Sequence, residues 1–486
     1  MFKTRLANYM DGSRIITDVK KLNSYFEDNS PVMDGSTFLA VLPENKTEVR
    51  NIVKLANEHL MPLLPVSSGS IAPYEEGLIP RKGVIVDFSG MNRILKIDST
   101  SRYVMIEPGV TFETLVPELK RHGLRLNLPF LPKPFKSVLT SYLEREPGII
   151  PKYQYDYLDP LLTLEVVYGT GDEFRTGSAS GPGDLDTLKA DKVNPWGPGS
   201  VDYFRFVSAA QGTMGLVTWA TLKTEVLPST QKLFYIPVHD IDNLTMPMNM
   251  LLRRRIVDEC LAVNNVTLAA VLAKNWPEDF KRLKTVLPPW TIITCISGYK
   301  RRPEERIALQ EKNLHECCKE VSLIPRKKVI ENDCLEDDVL NLLRSGSNDM
   351  PYWKHRQKTN CSDIFFLTTL SKAPGFITTM EKKSAEHKFR KENMGAIVQP
   401  MVQGRGCHCE FSLLYDGNDS DELSRTKALF LDASKTLFDQ GAFFSRPYGP
   451  WAKMVYEKYP EGVEILQKLK KIFDPNGILN PNRLCY

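Results

Sequence analysis

Three stretches of the chain carry residue types able to do chemistry. The first is Ser67-Ser68-Gly69-Ser70, which follows the apolar run Leu63-Leu64-Pro65-Val66. Small residues at the end of a strand leave backbone amides open, and such loops cradle phosphates. The plainer alternative is an ordinary small-residue turn between strands. The second stretch, Val402 to Tyr415, reads as a loop into a strand whose alternation puts His408, Glu410 and Ser412 on one face. A histidine there either exchanges a proton near neutral pH or is a satisfied structural side chain. Arg405, just ahead of it, suits a substrate anion or a surface carboxylate. The third is Arg446-Pro447-Tyr448-Gly449, a forked guanidinium followed by a proline-stiffened turn. Cys407-His408-Cys409 and Cys317-Cys318 look metal-like at first sight. Neither belongs to a CxxC pair with a second pair at useful distance, so no zinc or iron–sulfur centre is expected.

The elements that must position these residues follow from the rest of the chain. At 486 residues, two domains are the expectation. The 63 basic and 59 acidic residues leave a net charge of +4, which gives no electrostatic case for nucleic acid. No apolar run reaches membrane-spanning length, and the N-terminus MFKTRLANYMDGSR has no secretory core. The nine cysteines, none before Cys260, read as free thiols in a reducing compartment, so a cytoplasmic location is expected.

Residues 1–36 are polar and loop- or helix-like. Residues 37–42 form a strand, and a helix opens at Pro43 to Thr47 with Val49, Ile52, Val53 and Ala56 on one face and Asn45 or Thr47 as cap. The next strand ends in the loop at Ser67, and Gly83 to Asp87 is its partner. Strands follow at Met91–Asp98 and Tyr103–Glu107, then a helix with Phe112, Leu115, Val116 and Leu119 buried, stopped by Gly123. Leu161–Tyr168 and Glu173–Gly177 read as a hairpin about Gly169 to Asp172. Residues 178–205 are expected to be a long surface loop. A turn at Gln211 to Gly215 feeds another strand. Longer helices, charge runs and most cysteines then mark a second domain. The expected division is 1–228, 229–435 and 436–486, the last returning to the first.

In this order, the pieces Val66 to Tyr74, GVIVDFSGMNRIL, the EPGVT after Tyr103, EVVYGTGDEFRTG, QGTMGLVT and DPNGILNPNRL resemble the FAD-dependent flavoproteins of the vanillyl-alcohol oxidase and p-cresol methylhydroxylase type. The resemblance spans nearly the whole chain. It implies an α+β fold with a two-subdomain, PCMH-type FAD-binding domain built from both chain ends. A central cap with a mixed or antiparallel sheet and flanking helices would cover the isoalloxazine ring. It places Ser67, Ser68, Gly69 and Ser70 at the FAD diphosphate, with Pro108 and Gly109 beneath the loop. Thr140 and Ser141 fall on a second flavin loop; Gly212, Gly215 and Val217 lie along the ribityl and ring, and Asn480 near the flavin. Tyr74 and Arg446 would hold a phenolate, with Tyr448 in place of the usual neighbouring tyrosine, since Phe444 and Ser445 stand there. Asp156 aligns with an acid near flavin N5, and His408 and Arg405 border the active site.

The same resemblance implies a 4-alkylphenol or 4-hydroxybenzyl alcohol as substrate, an electron-acceptor protein as one partner option, and a homodimer or larger oligomer. Departures from the family pattern are Ser70, Glu75-Glu76 and Thr140, whose side chains and charges are expected to weaken pyrophosphate binding. No histidine lies in the first loop, and the cap strand Cys361 to Phe366 carries neither histidine nor tyrosine, so non-covalent FAD is expected. A 2-hydroxy-acid dehydrogenase subunit (glycolate or D-lactate type) and a non-catalytic, flavin-poor subunit are the two alternatives.

Overall fold

In a computed structural model, the chain is described over residues 2–25, 38–67, 82–151, 160–176, 203–330, 339–341, 343 and 352–486. The N-terminal sheet is built from β1 (Ile15–Ile16), β2 (Phe38–Val41), β3 (Leu63–Val66) and β4 (Gly83–Asp87) in the order β1-β2-β4-β3. β2, β4 and β3 are parallel, while β1 adds antiparallel to the edge. The described N-terminus is helix- and loop-like as expected, with helices at Phe2–Leu6 and Val19–Asn23, except that the β-branched pair Ile15-Ile16 finishes the edge of β2 as β1. Helix α1 (Lys46–His59) makes the crossover between β2 and β3. The Asn45 side chain accepts from the Glu48 amide at 3.0 Å, and Val49, Ile52, Val53 and Ala56 are buried. The guanidinium of Arg14 clamps the Glu48 carboxylate at 2.6 and 2.7 Å, which ties β1 to the start of α1.

The second sheet is antiparallel. Its strands are β5 (Ile94–Asp98), β6 (Tyr103–Ile106), β7 (Leu161–Val167), β8 (Glu173–Arg175) and β9 (Leu216–Lys223), ordered β5-β6-β9-β7-β8. Helix α2 (Phe112–Arg121) packs Phe112, Leu115 and Leu119 into this sheet's core and ends before Gly123, whose φ of +68° suits glycine. The short helix α3 (Val138–Leu143) buries Val138, Leu139 and Tyr142 in the same core. Within the expected loop 178–205, Tyr203–Phe206 is a 3-10 turn; residues up to 202 lie outside the described ones.

The cap is a six-stranded antiparallel sheet: β10 (Thr230–Val238), β11 (Glu259–Asn264), β12 (Trp290–Gly298), β13 (Asn360–Thr368), β14 (Met394–Met401) and β15 (Gly406–Tyr415), ordered β10-β12-β11-β14-β15-β13. One face packs against helices at Thr245–Arg253, Pro303–Glu320, Ala373–Glu386 and Ser420–Asp439. Alternation in β15 sends Cys407, Cys409, Phe411 and Leu413 to that face. The opposite face is split: a helix at Asn265–Leu272 covers one part, and the other part faces the first domain. The last of the four helices runs through the 435/436 boundary, and Phe444, Tyr448 and Trp451 join the cap core. The chain rejoins the first domain through helix α4 (Pro460–Phe473), whose Leu469 and Phe473 pack on the second sheet. Arg125 and Glu259 form an ion pair between the domains, 2.5 Å long and largely buried.

Candidate active site

A cavity of about 580 Å³ lies between the two N-terminal sheets and the open part of the cap sheet. Its floor is the C-terminal end of β3, the start of β9 with the turn before it, part of α3, and the last turn of the chain. Little but backbone and small side chains meets there. The Ser67 and Thr140 hydroxyls hydrogen-bond to each other across the gap between β3 and α3. Ser137 caps α3 at the Thr140 amide (3.1 Å) and donates to the Pro108 carbonyl. A side chain at Gly212, which has φ +72°, would meet Pro65 Cγ at 2.4 Å, and one at Gly215 would meet Val166 at 2.3 Å. Glycine at both positions lets the turn lie flat on the strands.

The last turn is tied down from three sides. Lys470 Nζ donates to Asp474 Oδ2 at 2.6 Å, to the Leu479 carbonyl at 3.0 Å, and to the Thr213 carbonyl. Asp474 in turn accepts from the Ile478 and Leu479 amides at 3.0 and 2.8 Å. Leu479 bridges to Leu63 of β3, and the Asn480 side chain donates to the Gln211 carbonyl at 2.6 Å. Asn480 and Arg483 thereby reach the cavity wall, where burial pulls the Arg483 guanidinium down to about 10.

The roof is ionic. Lys354 Nζ sits between Asp363 Oδ2 at 2.7 Å and Glu410 Oε1 at 2.6 Å. Ser412 donates to Asp363 at 2.7 Å, and His408 Nε2 lies 3.4 Å from Glu410 Oε2. Burial opposes charge on Lys354, but Asp363 and Glu410 outweigh it and hold the ammonium well above its ordinary value. Burial likewise pushes Glu410 up, yet Lys354 and His408 hold it far below the usual carboxylate range. Burial pulls His408 below its ordinary value despite Glu410, so near neutral pH the imidazole is uncharged. Gln399 donates to the carbonyls of Pro147 and Gly148 at 3.0 and 2.6 Å, fastening the roof to the segment after α3.

The side wall joins floor and roof. Arg446 stacks its guanidinium 4.2 Å from the Phe365 ring centroid and lies 3.8 Å from Glu146. Glu146 is ion-paired to Lys136, and Glu144 lies 3.9 Å from the same ammonium. Tyr448 neighbours Glu144 and Arg446, and burial pushes its hydroxyl well above the ordinary phenol value.

The residues singled out in the sequence fall into three groups. Arg446, Tyr448, His408, Ser67, Pro108, Thr140, Gly212, Gly215, Val217 and Asn480 all line this one cavity. Gly109 and Ser141 lie behind its wall; a side chain at Gly109 would run into the carbonyls of Phe88, Met91 and Ser89. Arg405 is exposed at the turn between β14 and β15, outside the cavity lining. Tyr74, Asp156, Ser68, Gly69, Ser70 and Glu75-Glu76 lie outside the described residues. Sequence reasoning missed Lys136, Glu144, Glu146, Lys354, Asp363 and Gln399. The signal available was Glu144-Arg145-Glu146 set between the apolar Tyr142-Leu143 and Pro147-Gly148, and Lys354 directly after Tyr352-Trp353.

The residues present fit FAD. The cavity volume falls within the about 300–1,000 Å³ of small-molecule and cofactor sites. It opens at the carboxyl end of a parallel strand, and the glycine-flattened turn leaves room for close backbone approach. A model of the FAD binding domain matches residues 39–177, and one of the C-terminal domain of FAD linked oxidases matches residues 449–484. The chain is 22% identical to the 4-cresol dehydrogenase [hydroxylating] flavoprotein subunit of Pseudomonas putida, over 91% of this chain and 87% of that one. It is also 22% identical to the glycolate oxidase subunit GlcD of Bacillus subtilis, over 95% and 91%. Its fold superposes on the crystal structure of p-cresol methylhydroxylase with substrate bound at a TM-score of 0.82 and 18% identity, covering 100% of this chain and 96% of that one. Among the described residues no helix is long and apolar enough to cross a membrane. The chain thus carries a FAD binding domain and a C-terminal segment of the FAD linked oxidases, and with its antiparallel cap it has the fold of p-cresol methylhydroxylase.

Proposed function

We propose that this enzyme oxidises a 4-alkylphenol or a 4-hydroxybenzyl alcohol. Bound FAD supplies the hydride acceptor at its N5. The observation that carries the reading is the state of Arg446. It is buried in the cavity wall, stacked on Phe365, and its nearest charge partner among the described residues is Glu146 at 3.8 Å. That leaves a forked donor set aimed at an oxyanion. Lys354 is saturated by two carboxylates and offers a second anion nothing comparable. His408, uncharged, adds a polar group to the roof without adding a competing positive charge. A phenol's one oxygen suits a guanidinium whose nearest carboxylate is as far as 3.8 Å. Tyr74 and Asp156 keep the parts the family resemblance gives them, phenolate contact and assistance near flavin N5. A non-covalent FAD belongs to this reading; flavin that stays with acid-precipitated protein would overturn it. An electron-acceptor protein is in keeping with the subunit nature of the Pseudomonas relative.

The test is to load the purified chain with FAD and add 4-ethylphenol, glycolate or D-lactate without oxygen. Bleaching of the flavin by 4-ethylphenol is expected. Bleaching only by the 2-hydroxy acids, for which Arg446 would bind a carboxylate, or by none of the three, overturns the reading.

A further inference from the structure

Two carboxylates enter the cavity just after α3, two residues apart, and their surroundings differ. Glu146 is ion-paired to Lys136 and lies 3.8 Å from Arg446 Nη1. Glu144 is 3.9 Å from the same lysine and is hydrogen-bonded to the Tyr448 hydroxyl. Tyr448 also sits beside Arg446, two residues along the chain, in the same cavity wall. Arg446, Tyr448 and Glu144 thus line one cavity, with Tyr448 next to both the guanidinium and the carboxylate.

We propose that Tyr448 and Glu144 carry away the proton of the substrate's hydroxyl. The proposal rests on the phenol reading above. The substrate O–H bond breaks and its proton bonds to the Tyr448 oxygen, while the Tyr448 O–H bond breaks and that proton bonds to a Glu144 carboxylate oxygen. The substrate oxygen keeps its electron pair beside Arg446. One negative charge has moved from Glu144 to the substrate, toward the open cation, and nothing has been oxidised or reduced.

An ordinary carboxylate is too weak a base for a phenol, and the wall narrows that gap from both ends. Arg446 favours the oxyanion. The groups facing Glu144 are Lys136, Glu146, Arg446 and Tyr448, and burial with the Glu146 charge raises Glu144 above its ordinary value. Burial also pushes Glu146 up, but Lys136 and Arg446 outweigh this and hold it low. The two carboxylates therefore divide the work, with Glu146 the fixed counter-ion and Glu144 the proton acceptor.

The experiment follows flavin reduction by 4-ethylphenol against pH in the FAD-loaded, full-length protein without oxygen. As a base, Glu144 must be ionised, so the wild-type rate should fall as pH drops through a value above the ordinary carboxylate range. E144Q should lose roughly 100-fold or more in rate and should lose that acid limb. E144D should recover the limb. Y448F should lose rate comparably, and Y448F/E144Q should be no worse than the poorer single variant, since the two act as a unit. Because Glu144 sits where charge is disfavoured, E144Q should still fold and bind FAD, which its visible flavin spectrum checks. An E144Q enzyme with the wild-type rate and limb, or one slowed equally at all pH values with the limb intact, overturns the relay and leaves the substrate reading standing. A wild-type enzyme that 4-ethylphenol fails to reduce at any pH overturns the substrate reading, and the relay with it.

Discussion

The floor and the roof of the cavity are built on opposite plans. The floor is shaped by what its side chains lack. Gly212 and Gly215 leave no room for a Cβ, and Ser67, Thr140 and Asn480 spend their polar groups on one another or on backbone. The roof is shaped by what its side chains carry: one ammonium between two carboxylates, with a serine and a histidine attached to the same pair. A surface made of close approaches fails by steric intrusion. A surface made of buried charges fails by imbalance, because a charge left without its partner costs far more than the pair contributes. The floor suits a large ligand held by shape, and the roof suits a rigid lid in which carboxylates outnumber the one ammonium.

The largest effect should come from unbalancing the roof. Lys354→Met leaves Asp363 and Glu410 without their cation and should destabilise the fold by about 3–5 kcal/mol, measured by denaturant unfolding; a loss below about 1 kcal/mol would mean the roof is no more demanding than a surface ion pair. Next is the side wall. Arg446→Met should slow flavin reduction by 4-ethylphenol about 100- to 1,000-fold with FAD affinity unchanged. A loss of flavin instead would assign Arg446 to the floor. Gly212→Ala tests the floor directly: a non-glycine residue at positive φ costs roughly 1–2 kcal/mol, and the pressure on Pro65 should appear as weaker FAD binding in a fluorescence titration. The smallest effect is expected from E144Q on stability. Glu144 has a raised pKa, so its contribution is fully present below the unfolded value and is lost as pH rises through the folded one. E144Q escapes that loss. It should match the wild type in acid and exceed it by up to about 1 kcal/mol near neutrality, by thermal melts across pH.

Elements of the first domain were legible because they are local. The helix after Asn45 shows in its cap and its 3–4 spacing, the β7–β8 hairpin in its glycine turn, and the last turn in Asp474-Pro475 and Asn480-Pro481. Arg446 and His408 were legible as types, and the alternation of β15 placed His408 and Glu410 together on the roof. The ionic partners were not. Lys136 and Arg446 meet through Glu146, and Lys354, on the turn before β13, meets Glu410 of β15, over separations that no periodicity records. Helix α3 is too short to show a face. Arg405 misled for the converse reason: it adjoins His408 in sequence, but the turn ahead of β15 directs it to the surface.

The bridge between Leu63 and Leu479 also sets an order of events. β3 emerges early in synthesis, yet its cavity end is completed only by the last turn, which Lys470 and Asp474 hold in place. The cap, which lies wholly between these two pieces of sequence, has its strands and helices in hand before the floor can close. A cofactor resting on this floor can therefore be seated only after residues 470–480 have been made.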